Sequence, residues 1–258
     1  MNQAERRQYL IRTLLAEQPQ YREIDIPDDP QGQKDLLRAL MNVRMPAPLT
    51  QDYLKIEREY LQEETAAKGI TRLEMLTPAD GDLYLWQGDI TTLAVDAIVN
   101  AANSQMLGCF RPLHNCEDNC VHSAAGLQLR NYCNELMQKQ GFEEPTGQAK
   151  ITPAFNLPCK YVLHTVGPIV SGRLTQEHRH LLASSYRACL ELADENGCGS
   201  IAFCCISTGV FGFPQKEAAE IALQTVKDYK RTQHSFIKVI FNVFKDEDLA
   251  IYQSLFQC

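Results

Sequence analysis

Val95-Asp-Ala-Ile-Val-Asn100-Ala-Ala-Asn103-Ser-Gln-Met-Leu-Gly-Cys109-Phe-Arg-Pro-Leu-His114-Asn-Cys116-Glu-Asp118-Asn-Cys-Val-His122-Ser-Ala-Ala-Gly126 is the stretch on which the reading of this chain turns. Val95 to Val99 is an apolar run of the kind that forms a buried strand, and His122 opens a helical pattern. Between them lies a loop with carboxamides, thiols and an imidazole. A loop leaving the carboxyl end of a strand in an α/β sheet is where such folds place ligands.

Working outward, short runs rich in Val, Ile, Phe or Tyr occur at residues 83–86, 94–99, 161–166, 200–206 and 237–244. Amphipathic segments alternate with them. One runs from His122 to Gln140 and ends at Gly141, a second from Leu174 to Asn196 ends at Gly197, and a third starts at Pro214 and continues through Lys227. Glycine past the end and proline at the start suit helix boundaries. Residues 73–258 therefore read as a layered α/β domain. Residues 1–72 differ in texture: two helical patterns, one with Leu36, Leu37, Leu40 and Met41, the other with Tyr53, Leu54, Tyr60 and Leu61 behind a cap at Thr50, are punctuated by prolines. This region is expected to be a helical extension packed on the main domain, or else an element that recognises a partner or substrate.

The 258 residues carry 25 Lys+Arg against 32 Asp+Glu, a net charge of -7. That balance argues against a protein that coats nucleic acid or an anionic membrane. No window approaches the ~18 apolar residues of a membrane span, and the start lacks the apolar core of a signal peptide, so a cytoplasmic location is expected. In a reducing compartment the ten cysteines are free thiols or metal ligands. Cys189, Cys204 and Cys205 read as small buried hydrophobes.

Other motifs complete a candidate pocket. Gly88-Asp89-Ile90-Thr91 follows a strand; it is an ordinary turn, or a carboxylate and an N–H placed for an exocyclic amine such as adenine's. Ser207-Thr208-Gly209-Val210-Phe211-Gly212-Phe213-Pro214 joins a strand to a helix. Consecutive N–H groups there make a cradle for phosphate, and the Gly-Lys-Ser/Thr ending of a triphosphate-hydrolysing loop is absent. Asn100 and Asn103 end the central strand, where carboxamides pair with ribose hydroxyls or cap turns. Residues 147–152 and 164–168 look like strand ends that finish the site, with His164 either a satisfied core histidine or part of it.

In this order, Gly-Asp-Ile-Thr, Val-Asp-Ala-Ile-Val-Asn-Ala-Ala-Asn, Asp-Asn-Cys-Val-His-Ser-Ala-Ala-Gly, His-Thr-Val-Gly-Pro and Ile-Ser-Thr-Gly-Val-Phe-Gly-Phe-Pro resemble the macrodomain, a module that binds ADP-ribose. The resemblance covers residues 73–258. It implies a three-layer α/β/α fold with a mixed central sheet, with Asp89 and Ile90 on adenine, Asn100 and Asn103 on the distal ribose region, and Ser207, Thr208, Gly209, Val210 and Phe211 on the diphosphate.

The chain departs from the common hydrolase pattern, which carries glycines and a Val-Asp-Gly after the second asparagine. Here Cys109, His114 and Cys116 stand in a Cys-x4-His-x-Cys spacing. Thiolate and imidazole are zinc donors, and the short spacing closes one loop around an ion at low entropic cost. This resembles the zinc-containing microbial macrodomain hydrolases, in which the metal lies beside the distal ribose. Three ligands leave an open position suited to catalysis; Cys120 or His122 as a fourth would make the site structural. Two thiolates neutralise the Zn2+ charge, leaving orientation and polarisation as its work. The expected activity is hydrolytic removal of ADP-ribose from modified protein side chains, by zinc acting on a ribose hydroxyl or a water. Asn103 is expected to orient the ribose and Asp118 to position or deprotonate the nucleophile. The rivals are a non-catalytic ADP-ribose reader with a structural zinc and an O-acetyl-ADP-ribose deacetylase.

Overall fold

A computed structural model describes residues 1–257. The chain opens with three helices, α1 (Gln3–Glu17), α2 (Pro30–Val43) and α3 (Gln51–Lys68). The two patterns read from the sequence are α2 and α3, and Thr50 Oγ1 caps α3 by accepting from Tyr53 N. The first helix is an addition to that reading. Its signal was present: Asn2 and Glu5 form a reciprocal capping box, and Leu10, Ile11, Leu14 and Leu15 share one buried face. The three helices enclose an apolar cluster of their own, which also takes in Leu127 of the following region.

The remainder is built on a seven-stranded mixed sheet. In chain order its strands are β2 (Pro78–Asp80), β3 (Leu83–Gln87), β5 (Ala97–Ala101), β6 (Ala149–Pro153), β7 (Tyr161–Thr165), β8 (Ser200–Phe203) and β9 (Lys238–Val243). A two-residue pair, β1 (Thr71–Arg72) with β4 (Leu93–Ala94), lies apart from it. The spatial order is β2-β3-β9-β8-β5-β7-β6. The five inner strands run parallel, and β2 and β6 are antiparallel edges. Ala97, Ile98 and Val99 are fully buried, because a parallel strand covered on both faces is apolar throughout rather than alternating.

Helices α4 (Glu117–Ala125) and α5 (Leu127–Gln140) pack on each other and on β5 and β6, with α2 and α3 stacked outside α4. Helices α6 (Gln176–Glu195), α7 (Gln215–Gln233) and α8 (Asp246–Phe256) form the other layer. The single helix expected over 122–140 is instead two. Helix α4 begins earlier, capped by Cys116, and the chain breaks at Gly126, whose φ is 90°. A Cβ at Gly126 would lie 2.7 Å from both Asn156 Nδ2 and Glu57 Oε2, so only glycine allows this close crossing of α3. Cys189 and Cys204 are buried as expected, whereas Cys205 is only partly so. No helix among the described residues is long and apolar enough to cross a membrane.

Candidate functional site

Parallel strands put their carboxyl ends on one edge of the sheet, and the motifs follow those ends. Asp89 follows β3, Ser207 follows β8, Asn103 follows β5 and Gly167 follows β7. Because β8 and β5 are neighbours in the sheet, the Ser207 loop and the Asn103 loop leave it side by side.

The register pairs Asn100 with His164 across β5 and β7, and their side chains meet inside the protein. Asn100 is fully buried and spends both N–H groups internally: Nδ2 donates to Asp118 Oδ1 at 2.8 Å and lies 3.1 Å from His164 Nδ1. His164 Nε2 lies 3.1 Å from Thr152 Oγ1. An acceptor at Nδ1 leaves Nε2 as the protonated nitrogen of a neutral ring. Burial agrees, holding the His164 pKa down at about 3. His164 is thus a satisfied core histidine, and Asn100 reaches the site through Asp118.

Asp118 sits in the first turn of α4 and is buried. Asn103 Nδ2 lies 3.4 Å from its Oδ2 and donates to Gly108 O at 3.1 Å. His122, one helical turn on, brings Nε2 to 3.6 Å from Asp118 Oδ1. Burial raises the Asp118 pKa to about 6, against the hydrogen bond from Asn100 and the charge of Arg130. A carboxylate held by two carboxamides at the mouth of a strand loop is equipped to orient a water or take its proton.

Cys109, His114 and Cys116 converge: their ligand atoms lie within 4.8 Å of one another, with Cys109 Sγ 3.5 Å from His114 Nδ1. This donor set fits zinc. Cys116 caps α4, its Sγ accepting from Asn119 N at 3.4 Å. Burial and the neighbouring Cys109 nonetheless push its pKa up to about 12, so a metal bound there would have to displace its proton. Neither Cys120 nor His122 belongs to this group. The Cys120 thiol faces Arg38 at 3.7 Å, and His122 groups with Cys133 and His164 in the interior, with no hydrogen-bond partner on either ring nitrogen. Position in the helix was the only signal for His122: it follows Asp118 by four residues.

The Ser207 loop turns tightly. Ser207 has φ 66°, Phe213 N donates to Ser207 O, and Gly212 N donates to Gly209 O. Among the described residues, the N–H groups of Gly209, Val210 and Phe211 donate to no protein acceptor. Phe211 O accepts from Val170 N at 2.8 Å, tying this loop to the segment after β7. Asp89 Oδ1 accepts from both Thr91 N and Thr91 Oγ1, while its Oδ2 is paired with Lys68 of α3 at 2.9 Å. Although burial opposes it, these bonds hold the Asp89 pKa below its ordinary value. Ile90 is buried behind it.

The sequence matches the Macro domain family over residues 99–222. A protein-ADP-ribose hydrolase of Treponema medium is 60% identical over 259 residues, covering 99% of this chain and 99% of that protein. An Oceanobacillus iheyensis macrodomain solved with ADP superposes with a TM-score of 0.63 at 37% identity, over 71% of this chain and 94% of that one. A Trypanosoma brucei macrodomain in complex with ADP-ribose superposes with a TM-score of 0.66 at 28% identity, over 89% and 96% respectively.

Proposed function

The chain belongs to the Macro domain family, and from that footing we propose that it is a protein-ADP-ribose hydrolase, as its 60%-identical Treponema relative is named. The observation that carries the reading is the junction at the start of α4. There Asp118, gripped by Asn100 and flanked by Asn103, lies two residues from the Cys109, His114 and Cys116 cluster. Binding elements and a potential base thus share one loop.

ADP-ribose lies along the carboxyl edge of the sheet. The ionised Asp89 accepts from the adenine amine, with the Ile90 N–H beside it, and Lys68 shares the carboxylate. Ser207 and Thr208 shape the diphosphate loop, and the free N–H groups of Gly209, Val210 and Phe211 point donors at the phosphates. This is how a chain of net charge -7 holds an anion without a lysine cluster. The Phe211 ring presses on the distal ribose, and Asn103 orients it. Asn100 acts one step back, fixing Asp118.

Cys109, His114 and Cys116 would hold zinc, which when bound supplies Lewis acidity beside the distal ribose. Asp118 orients the attacking water and takes its proton. The water oxygen bonds to the anomeric carbon, or to the acyl carbon of an ester link, while the bond to the leaving oxygen breaks; that oxygen departs with the bonding pair and takes up the proton Asp118 accepted. Holding water and sugar in one geometry contributes to the rate through proximity.

The test is release of free ADP-ribose from a mono-ADP-ribosylated protein, with metal content measured before and after a chelator. Release that stops on chelation and returns with zinc supports the reading. Binding without release identifies a reader. Faster turnover of O-acetyl-ADP-ribose than of the protein-linked sugar identifies a small-molecule esterase.

A further inference from the structure

The loop bearing Cys109, His114 and Cys116 has no helix or strand between Ala101 and Glu117, and its Leu113 stands at φ 57°. A left-handed conformation is unfavourable at a leucine and persists only where the surroundings impose it. The surroundings here are largely α2. Arg38 Nη2 donates to His114 O at 2.9 Å and to Asn119 Oδ1 at 2.9 Å. Asn119, fully buried, sends its own amide to Cys109 O at 3.3 Å and Arg111 O at 3.0 Å. One turn further along α2, Asn42 Oδ1 accepts from Leu113 N at 3.0 Å, and its Nδ2 donates to Ser123 Oγ at 3.0 Å.

Arg38 and Asn42 are four residues apart and so share one face of the helix. Between them and Asn119, main-chain groups of Cys109, Arg111, Leu113 and His114 are held, two of which belong to ligands. A loop held this way gives up little freedom when it closes on an ion.

We propose that α2 is the outer support of the metal centre, with Arg38 and Asn42 as positioning residues that hold the Cys109–His114 loop in its ligating arrangement. The N-terminal helices are then a working part of the site rather than an appendage. This rests on the reading of Cys109, His114 and Cys116 as zinc ligands.

The experiment uses the full chain and zinc alone, with chelator competition for affinity and hydrogen exchange for the loop amides. Arg38→Ala and Asn42→Leu are expected to raise the zinc dissociation constant about 10- to 100-fold, the usual loss for an outer support of a metal ligand. Both should speed exchange at the Leu113 amide. Asn42→Asp keeps the acceptor for that amide and gives up the donor to Ser123 Oγ, so slow exchange at Leu113 in this variant against fast exchange in Asn42→Leu ties the protection to the Leu113 hydrogen bond. Arg38 is partly exposed, so its truncation tests the idea even if the buried Asn42 cannot be altered without unfolding. Unchanged zinc affinity and unchanged exchange in folded Arg38→Ala overturn the support role while leaving the ligand assignment intact. A wild-type chain that takes up no zinc overturns the ligand assignment itself, and the support role with it.

Discussion

Asn100 Nδ2 donates to Asp118 Oδ1 at 2.8 Å, so a fully buried carboxamide on the central strand sets the orientation of the carboxylate at the start of α4. Asp118→Asn preserves shape and removes the base. It is expected to lower kcat by roughly 10²–10⁴-fold, the range for loss of a general base, while ADP-ribose affinity changes little. Single-turnover release from a modified protein, paired with calorimetric titration of ADP-ribose, separates the two effects. Wild-type release by the variant would remove Asp118 from the chemistry.

Cys116 is both a member of the Cys-His-Cys group and the cap of α4. Cys116→Ala is expected to abolish zinc retention and turnover. Cys116→Ser keeps an acceptor for the Asn119 N–H, so it should recover the cost of the lost cap, ~1 kcal/mol, without recovering the metal. Elemental analysis and thermal unfolding of the pair distinguish these contributions. Full activity in a demonstrably zinc-free Cys109→Ala/Cys116→Ala protein would contradict a catalytic metal.

A Cβ at Gly167 would collide with Ser207 Oγ and stand 2.7 Å from Ile206 Cγ2. Gly167→Ala forces the Ser207 and Ile206 side chains to shift. The overpacking is expected to cost about 1–3 kcal/mol of stability and to weaken ADP-ribose binding, because the free N–H groups follow in the same loop. Titration with ADP-ribose and denaturant unfolding measure the two losses. Loss of stability with unchanged affinity would show that these side chains yield without disturbing the N–H groups of residues 209–211.

Glu57 on α3 is wholly buried, and its Oε1 accepts from Leu127 N at 3.1 Å. Burial raises its pKa from 4.5 to about 7, against that hydrogen bond and the charge of Arg44. Between these values the folded protein keeps a proton that the unfolded chain has released. Its contribution is therefore fully present below about pH 4.5, declines as pH rises to about 7, and stays lost above. Glu57→Gln keeps an acceptor for Leu127 and removes the charge. Relative to wild type it is expected to gain up to about 3 kcal/mol at pH 8, at ~1.4 kcal/mol per pKa unit, and almost nothing at pH 4. Denaturant curves at the two pH values check this, and an equal difference at both would rule out titration as the cause.

Much of this molecule is written in local pattern. Strand runs, helix periodicity, the Thr50 cap and the glycines at helix ends report on neighbours a few residues away, and a chain of alternating strands and helices leaves few ways to close a layered sheet. The Cys-x4-His-x-Cys spacing marked the donor set, and the ordered motifs named the Asp89, Asn103 and Ser207 loops; that these loops share one edge follows from the parallel pairing of their strands. What only the tertiary structure decided are the contacts between distant segments. Arg38 meets His114 O across 76 positions, and Gly126 splits the expected helix because α3 crosses at Glu57. Asn100 turns inward to His164 and Asp118 rather than outward. None of these follows from periodicity, because each depends on which helix face docks where, and that is set by the summed burial of many apolar side chains rather than by any motif.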